Sequence, residues 1–454
     1  MSGINNIPRI RVILMKIYIF SSFFILALLI VPSVASGTPA DAQLIWKVPL
    51  PDSGDPAIEF PIVTATGSPV LVTVNYQHQP SLFVFNGNGS LLWNITLAAE
   101  KTPWLSSVSI VPDGSWLTVT QLVPGCCHGS VTNTSQNKVL SFDRTGKKSW
   151  EFITRSPPLS LSILKTTRDI LVGTADGWIL CLNENGSVRW KTTVDVPVTT
   201  LTTSEDGSTI IATGDSNYDS GVRYGETSPS FDLFILNNNG VILGKYLTKE
   251  ENIAKTSNNG SVIAVLSRPS GNLIFFNRTG AKLNEQTFPV PPAAHAMTPD
   301  GSRVIIETDR GEVYCLDTNG LFIWNKSIKP GSQGLAVSGN GQNFAIGNGS
   351  TFEIYRITGE PLGVYPASSK IRSITMVPGS DSFLAYSDRE LFFISVTRAD
   401  PYGEHSPVPG SQILPTTVQV AAAASTTQHS SLSIIFPLSA IFIAGVLGVI
   451  FRKS

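Results

Sequence analysis

The chain has 454 residues, of which 14% are charged, and its formal net charge at neutral pH is −1. The 32 basic and 33 acidic residues nearly balance, and the basic residues do not cluster. This balance gives no electrostatic footprint for a nucleic acid or another polyanion as a partner.

The first predicted element is a targeting segment over residues 1–36. Arg9 and Arg11 precede an apolar run over residues 17–31, and small residues suited to cleavage surround Ala35. This pattern is typical of a secretory signal peptide, with an uncleaved signal anchor as the alternative. We therefore expect the rest of the chain to be exported.

A hairpin pattern then recurs through residues 42–398. Each unit has an apolar strand, Asn or Asp, two further residues, Gly and a second strand, as in Asn86–Gly89. Asn, Asp and Gly tolerate the positive φ of a tight hairpin turn. A period of about forty residues built from short strands predicts a β-propeller. The turn glycines are Gly89, Gly146, Gly186, Gly240, Gly280, Gly320 and Gly359.

The strand count predicts how the ring closes. A second turn upstream of each hairpin, such as Asp113-Gly114, gives each unit four strands, A to D. A D-type strand stands alone at residues 44–50, and the last unit, over residues 371–397, lacks one. We predict an all-β, eight-bladed propeller whose first strand closes the last blade and removes exposed sheet edges. A seven-bladed ring is the alternative.

Five tryptophans stand in register at the start of D strands. One large aromatic per blade would fill the space between neighbouring sheets and bury about 150–250 Å². We therefore interpret them as structural residues and not as ligand-stacking groups. They are Trp46, Trp93, Trp150, Trp190 and Trp324.

One repeat, from Leu140 to Trp150, carries Asp143, Thr145 and Gly146 in the order Asp-x-Thr-Gly-x-x-x-Trp. It resembles the repeat of pyrroloquinoline-quinone-dependent dehydrogenases and their non-enzymatic relatives. The Asp-Gly-Ser turns resemble those of Trp-Asp-repeat propellers. The resemblance covers about residues 43–397 and implies the fold; because such propellers host enzymes, scaffolds and assembly factors, it leaves the function open.

The C-terminal part is predicted to tether the propeller to a membrane. Residues 399–431 are rich in Pro, Ser, Thr and Ala and are typical of an extended stalk. Residues 432–451 carry no charge and are long enough for a transmembrane helix. A buried core helix is the alternative, but an all-β domain has no place for it. Arg452 and Lys453 in the tail, residues 452–454, favour a cytoplasmic C-terminus and an extracellular ectodomain in the cell membrane.

Propeller geometry then orients the molecule. The first strand enters and the last strand exits on the side of the C–D turns, so this face is expected to lie near the membrane. The B–C connections point outward. Both insertions, residues 121–138 and 214–231, interrupt B–C connections, and long loops on a rigid scaffold usually carry function.

Eight Asn-x-Ser/Thr sequons are candidate glycosylation sites in an exported protein. Asn-Gly-Ser also forms a good turn, so some sequons have a purely structural explanation. Those at residues 88, 185, 259 and 277 fall in turns of the membrane-proximal face, whereas 133 and 348 lie on the outward face. The sequons are Asn88, Asn94, Asn133, Asn185, Asn259, Asn277, Asn325 and Asn348.

The four cysteines fall into two groups. Cys181 and Cys315 occupy equivalent C strands, where buried small hydrophobes are expected. Cys126 and Cys127 are adjacent in the first insertion, where an exported protein can form a vicinal disulfide that stiffens the loop. The resemblance to quinoproteins also implies a cofactor role for such a pair, although the residues that follow here do not match that family.

The second insertion contains a candidate calcium loop. Asp215, Asn217 and Asp219 place oxygen ligands at positions 1, 3 and 5, and Glu226 stands at position 12. Ser220 occupies the position where such loops have Gly, and a polar, turn-rich loop is the alternative interpretation.

No nucleophile–base motif, zinc motif, phosphate loop or dinucleotide fingerprint is recognisable. We therefore expect a non-enzymatic surface module that binds a protein or glycan through its outward face, without a cofactor other than calcium. The alternatives are a quinoprotein-type oxidoreductase and a cell-envelope assembly scaffold.

Overall fold

A computed structural model describes residues 42–49, 57–64, 70–76, 79–97, 104–122, 137–216, 231–247, 250–268, 270–329 and 332–396. The predicted signal segment, stalk, apolar segment and tail lie outside these residues. In the described ranges, we find no helix with the length and apolar character needed to cross a membrane.

The described residues form eight four-stranded antiparallel sheets, which we number in chain order. Sheets 1 to 4 contain β2 (Ala57–Val63), β3 (Val70–Tyr76), β4 (Gln79–Phe85) and β5 (Leu91–Thr96); β6 (Trp104–Ile110), β7 (Trp116–Leu122), β8 (Lys138–Asp143) and β9 (Lys148–Ile153); β10 (Pro158–Leu164), β11 (Asp169–Thr174), β12 (Trp178–Leu182) and β13 (Val188–Thr193); and β14 (Val198–Thr203), β15 (Thr209–Gly214), β16 (Leu233–Asn237) and β17 (Ile242–Tyr246).

Sheets 5 to 8 contain β18 (Glu251–Thr256), β19 (Val262–Arg268), β20 (Asn272–Asn277) and β21 (Lys282–Thr287); β22 (Pro292–Met297), β23 (Arg303–Thr308), β24 (Glu312–Asp317) and β25 (Phe322–Ser327); β26 (Ser332–Val337), β27 (Asn343–Asn348), β28 (Thr351–Arg356) and β29 (Pro361–Pro366); and β30 (Ile371–Met376), β31 (Ser382–Ser387), β32 (Glu390–Val396) and β1 (Ala42–Pro49). Within each sheet the order runs from the inner strand A to the outer strand D.

The first strand pairs with the last one, as expected from the sequence. β1 lies antiparallel to β32, with Ala42 opposite Val396 and Pro49 opposite Glu390. The Nζ of Lys47 lies 3.2 Å from Oε1 of Glu390 across this pair. The inner strands contact one another from sheet to sheet, and β30 of sheet 8 contacts β2 of sheet 1. This arrangement is a β-propeller.

The core lies between neighbouring sheets. The second strands are the most buried: β11, β15, β27 and β31 are buried at every position. Strands covered on both faces read as continuous apolar runs, which is the pattern of Ile170–Val172 and Ile210–Ala212. The outer strands instead alternate between half-buried and exposed residues, because one edge of each faces solvent.

The five tryptophans join the outer strand of one sheet to the C–D turn of the next. The indole Nε1 of Trp93 donates a 2.8 Å hydrogen bond to the carbonyl oxygen of Arg144. Gly146 in that turn has a φ of 84°, and an added Cβ would lie 2.9 Å from the Trp93 ring. Glycine suits this position both by its backbone conformation and by the close approach of the indole. The other pairs are Trp46 with Gly87, Trp150 with Glu184, Trp190 with Asn238, and Trp324 with Ile357.

Three sheets lack this tryptophan, so the expectation of one large aromatic per blade is wrong for them. Sheets 4, 5 and 7 carry Gly244, Asn284 and Gly363 at the equivalent position. Gly244 lets two backbones approach, because a Cβ there would lie 2.8 Å from the Cα of Gly280. Asn284 donates its side-chain amide to the carbonyl oxygen of Asn319, which replaces the indole hydrogen bond with a smaller group.

Candidate functional site

The second insertion leaves sheet 4 from a buried, hydrogen-bonded base. The amide of Gly214 donates to the carbonyl oxygen of Asp232 at 2.7 Å. The Asp232 side chain is buried, and its carboxylate lies 3.3 Å from Nζ of Lys245, which supplies the partner that a buried charge requires. The side-chain amide of Asn252, in sheet 5, donates to the carbonyl oxygen of Phe231 at 2.8 Å. Both ends of this insertion are therefore held in place.

The first insertion leaves sheet 2 from a similar base. Strands β7 and β8 remain paired as far as Gln121 opposite Lys138, and the Gln121 side chain is buried. The carbonyl oxygen of buried Asn137 accepts a 2.9 Å hydrogen bond from the amide of Thr154. The Nζ of Lys138 lies 3.3 Å from Oε1 of Glu151 on the outer strand. Strand β7 ends at Leu122 and β8 begins at Lys138, so both strands extend into the range 121–138 that the sequence assigned to the insertion.

Both insertions start at the edge where second strands end and third strands begin, which we call the B–C edge. Sheet 3 lies between them in the order of the sheets, and its own B–C connection is short. The amide of Gly177 donates to the carbonyl oxygen of Thr174 at 3.1 Å to close that turn. The opposite edge, the C–D edge, contains the C–D turns and the paired residues Ala42 and Val396. The two insertions therefore share an edge that is opposite Ala42 and Val396, the ends of the described propeller.

Several predicted site residues fall outside the described residues: Cys126, Cys127, Asn133, Asn217, Asp219 and Glu226. Of the candidate calcium ligands, Asp215 is described, and its backbone amide donates to the carbonyl oxygen of Pro197 at 3.1 Å. In the described part of the chain, no group of three or more His, Cys, Asp or Glu residues is arranged to hold a metal ion. The calcium loop and the vicinal disulfide stay predictions.

The asparagines of the described sequons differ in exposure and in the hydrogen bonds that their side chains form. Asn88, Asn185 and Asn259 are exposed in turns, and Asn277 is half-buried. The Oδ1 of Asn277 accepts hydrogen bonds from the amides of Thr279 and Ala281, so this side chain also shapes its turn.

The remaining described sequons lie in strands. Asn94 and Asn325 are exposed on outer strands β5 and β25. Asn348 is 8% exposed, and its Nδ2 donates a 2.9 Å hydrogen bond to Oε1 of Glu353. A side-chain nitrogen that is buried and already bonded is a poor acceptor for a bulky sugar.

A histidine and a lysine of neighbouring inner strands lie close together. His295 is 4% exposed, and its Nε2 lies 3.3 Å from the carbonyl oxygen of Ala264, the residue paired with Lys255. Within the described ranges, its Nδ1 has no hydrogen-bond partner. Burial, aided by the nearby charge of Lys255, lowers the pKa of His295 to about 3. The imidazole is therefore neutral at physiological pH.

Lys255 is exposed at its surface and yet desolvated at its ammonium group. Its side chain is exposed, and yet desolvation lowers the pKa of its ammonium group. Desolvation disfavours the charged form of a lysine, which is the direction of this shift. Among the described residues, no carboxylate forms an ion pair with Lys255. An ammonium group without an ion-pair partner can bind an anion. His295 is neutral and therefore cannot act beside it as a general acid.

The sequence analysis missed this pair because neither residue belongs to a motif. The available signal is positional. Residues two places before the first residue of the A–B turn are small in sheets 2, 4, 6, 7 and 8, whereas sheet 5 carries the charged Lys255 there. Its equivalents are Ser109, Thr202, Ala296, Ala336 and Thr375.

The two cysteines of the third strands are buried, as predicted. Cys181 and Cys315 are both fully buried and carry free thiols. Burial raises the pKa of Cys181 to about 12 and also raises the pKa of Cys315. Thiols with raised pKa values are poor nucleophiles, so these residues serve packing.

Comparisons with known proteins agree with this fold. Residues 33–196 match a PQQ-type repeat family described as outer membrane protein assembly factor BamB. No curated protein matches the sequence. The C-terminal WD40 domain of Sif2 has a TM-score of 0.57 at 12% identity, covering 79% of this chain and 99% of that domain. BamB from Moraxella catarrhalis has a TM-score of 0.53 at 16% identity, covering 80% of this chain and 99% of BamB. The chain is therefore similar to PQQ-type and WD-type β-propellers, and at these identities the two structures show the fold alone.

Proposed function

We propose that this protein is a non-enzymatic, membrane-anchored module that binds a protein or glycan at the cell surface through its B–C edge. One observation carries the proposal. The two insertions leave from fixed, hydrogen-bonded bases, at Gly214 and Phe231 and at Gln121 and Asn137, on the same edge of a rigid scaffold. Long loops presented in this way are the usual recognition elements of propeller-like scaffolds.

We further infer that the ring has eight blades. Eight four-stranded sheets, the pairing of β1 with β32 and the successive contacts between inner strands support this count. Pairing of the first strand with the last sheet closes the ring, because it gives that sheet its fourth strand and covers an edge that would otherwise be exposed.

The proposed orientation rests on the position of the chain ends. Ala42 and Val396, the two ends of the described propeller, lie side by side at the C–D edge. A membrane anchor there would place the B–C edge away from the bilayer. The absence of a recognisable nucleophile–base motif in the sequence supports a binding role over catalysis.

A second candidate is an assembly scaffold of the cell envelope. The match of residues 33–196 to the family described as outer membrane protein assembly factor BamB favours it. The two candidates share the propeller and differ in the partner, which is an exogenous surface ligand in the first and a protein of the same envelope in the second.

Site-specific photo-crosslinking on intact cells tests the proposal. A photoreactive residue replaces Asp176 at the B–C edge of sheet 3, and the matched control replaces Glu184 in the C–D turn of the same sheet. We expect adducts at residue 176 that disappear when each insertion is replaced by a short Asn-Gly turn. Equal adducts at residue 184, or adducts that persist without the insertions, would contradict the proposal. Adducts with integral envelope proteins would favour the scaffold.

A further inference from the structure

An aromatic cleft of about 490 Å³ opens at the outer end of the junction between sheets 5 and 6. Its walls include Phe288, which follows β21, together with Tyr314 and Phe322 of sheet 6. The Phe322 ring centroid lies 5.5 Å from that of Tyr314 and 6.0 Å from that of Phe288. Phe288 is buried and forms the base of the cleft, whereas Phe322 is 52% exposed. The cleft therefore presents aromatic surface to solvent.

The cleft lies at the junction between sheets 5 and 6, which lacks the interlocking tryptophan. Sheet 5 carries Asn284 at the position of the tryptophan, and its side-chain amide donates to the carbonyl oxygen of Asn319 in the turn of sheet 6. In the junction between sheets 1 and 2, the indole of Trp93 instead packs against Gly146 and donates to the carbonyl oxygen of Arg144. Asparagine has a smaller side chain than tryptophan and fills less of its junction.

Asn325 lies on the face of sheet 6 that contains the cleft. It pairs with Tyr314 across strands β24 and β25, so the two side chains project to the same side. Asn325 is exposed, lines the cleft and begins the sequon Asn325-Lys326-Ser327. We propose that Asn325 carries an N-linked glycan whose first sugar packs over Phe322 and Tyr314. This inference rests on the proposed export of the chain.

The chemistry needs an activated sugar as co-reactant, which is a lipid-phosphate-linked oligosaccharide of the secretory pathway. The Nδ2 of Asn325 forms a bond to the anomeric carbon and loses a proton, while the bond from that carbon to the lipid phosphate breaks. The C–H faces of a pyranose are apolar and match the exposed face of an aromatic ring. Packing there covers an exposed apolar surface that otherwise invites association.

A second sequon provides a matched control. Asn94 follows Trp93 on outer strand β5, as Asn325 follows Trp324 on β25. Asn94 pairs with Phe83, but Phe83 packs against Trp46 and its neighbours. Leu91 stands in place of Phe322. The two sequons therefore share strand position and exposure, and they differ in the aromatic cleft.

The test uses the full chain expressed in a eukaryotic secretory host. Peptide mass spectrometry measures occupancy at both sequons, and a peptide N-glycanase then releases the sugars from the folded protein. We expect the Asn325 glycan to be released about tenfold more slowly than the Asn94 glycan, the factor that a contact of the strength of an aromatic pair supplies. We expect Phe322→Ala to remove this difference, and Leu91→Ala to leave release at Asn94 unchanged.

The outcomes separate this inference from the proposed function. Equal release rates, or occupancy at Asn94 without occupancy at Asn325, would overturn the packed glycan and leave the exported module standing. No occupancy at either sequon would overturn the inference alone, because the proposed surface module requires export and does not require a glycan. Retention of slow release in Phe322→Ala would show that the ring does not protect the sugar and would also overturn the inference.

Discussion

The indole Nε1 of Trp46 lies 2.7 Å from the carbonyl oxygen of Gly87, 41 residues further along the chain. Trp46 belongs to β1, which pairs with the last strand, whereas Gly87 belongs to the first complete sheet. The indole also stacks on Phe393, with ring centroids 5.4 Å apart. A single side chain thus joins the two ends of the propeller.

Replacement of Trp46 should therefore weaken the closure of the propeller. Trp46→Phe keeps most of the ring but loses the hydrogen bond, which costs about 1 kcal/mol of unfolding free energy. Trp46→Ala also leaves a cavity and should cost about 3–5 kcal/mol. Urea denaturation of the purified chain measures both values. Ile45→Ala at the neighbouring exposed position is the control, with a change within about 0.5 kcal/mol. Wild-type stability in Trp46→Ala would refute the role of this residue.

The two glycines at tryptophan positions should differ in their tolerance of alanine. A Cβ at Gly244 would lie 2.8 Å from the backbone Cα of Gly280, whereas a Cβ at Gly363 meets a ring atom of Tyr365 at 3.3 Å. Backbone cannot move as easily as a side chain, so Gly244→Ala should cost about 1–3 kcal/mol. Gly363→Ala should change stability by less than about 1 kcal/mol. Thermal denaturation of the two variants side by side checks the order, and a reversed order would refute the packing argument.

Local patterns explain why much of the propeller could be predicted from the sequence. Each turn needs its own Asn, Asp and Gly, and Trp93 or Trp150 repeats in register because every such junction has the same geometry. The strand at Trp46 has the same local pattern as the other D strands, and this pattern indicated that it completes the last sheet. The contacts that Gly244 and Asn284 make in place of a tryptophan could not be predicted, because each involves a turn in the following sheet. The aromatic cleft lies at the junction that contains Asn284.

The buried thiols should be inert in the folded protein. The pKa of Cys181 is raised to about 12 and that of Cys315 is also raised, so neither forms appreciable thiolate at neutral pH. We expect a maleimide to leave both unmodified, as measured by peptide mass spectrometry. Labelling that appears only after mild reduction should map to Cys126 and Cys127, if these form the predicted disulfide. Modification of Cys181 without denaturant would contradict the buried assignment.

The lowered pKa of His295 should make the folding stability depend on pH. The pKa of this side chain is about 3 in the folded state, against its ordinary value of 6.5. Above pH 6.5 the imidazole is neutral in both states and contributes nothing to the pH dependence. As the pH falls below 6.5, only the unfolded chain takes up this proton, so folding stability decreases by about 1.4 kcal/mol per pH unit.

The variant His295→Gln isolates this effect. Glutamine does not titrate, and its amide can still donate to the carbonyl oxygen of Ala264, so the variant should lose the added slope between pH 6.5 and 4.5. The carboxylates with lowered pKa values, such as Asp113 and Glu390, are present in both chains, so their loss of stabilisation at low pH cancels in the comparison. Urea denaturation at successive pH values compares the two chains. Parallel curves would mean that the folded imidazole keeps a pKa near its ordinary value, and they would contradict the lowering by burial.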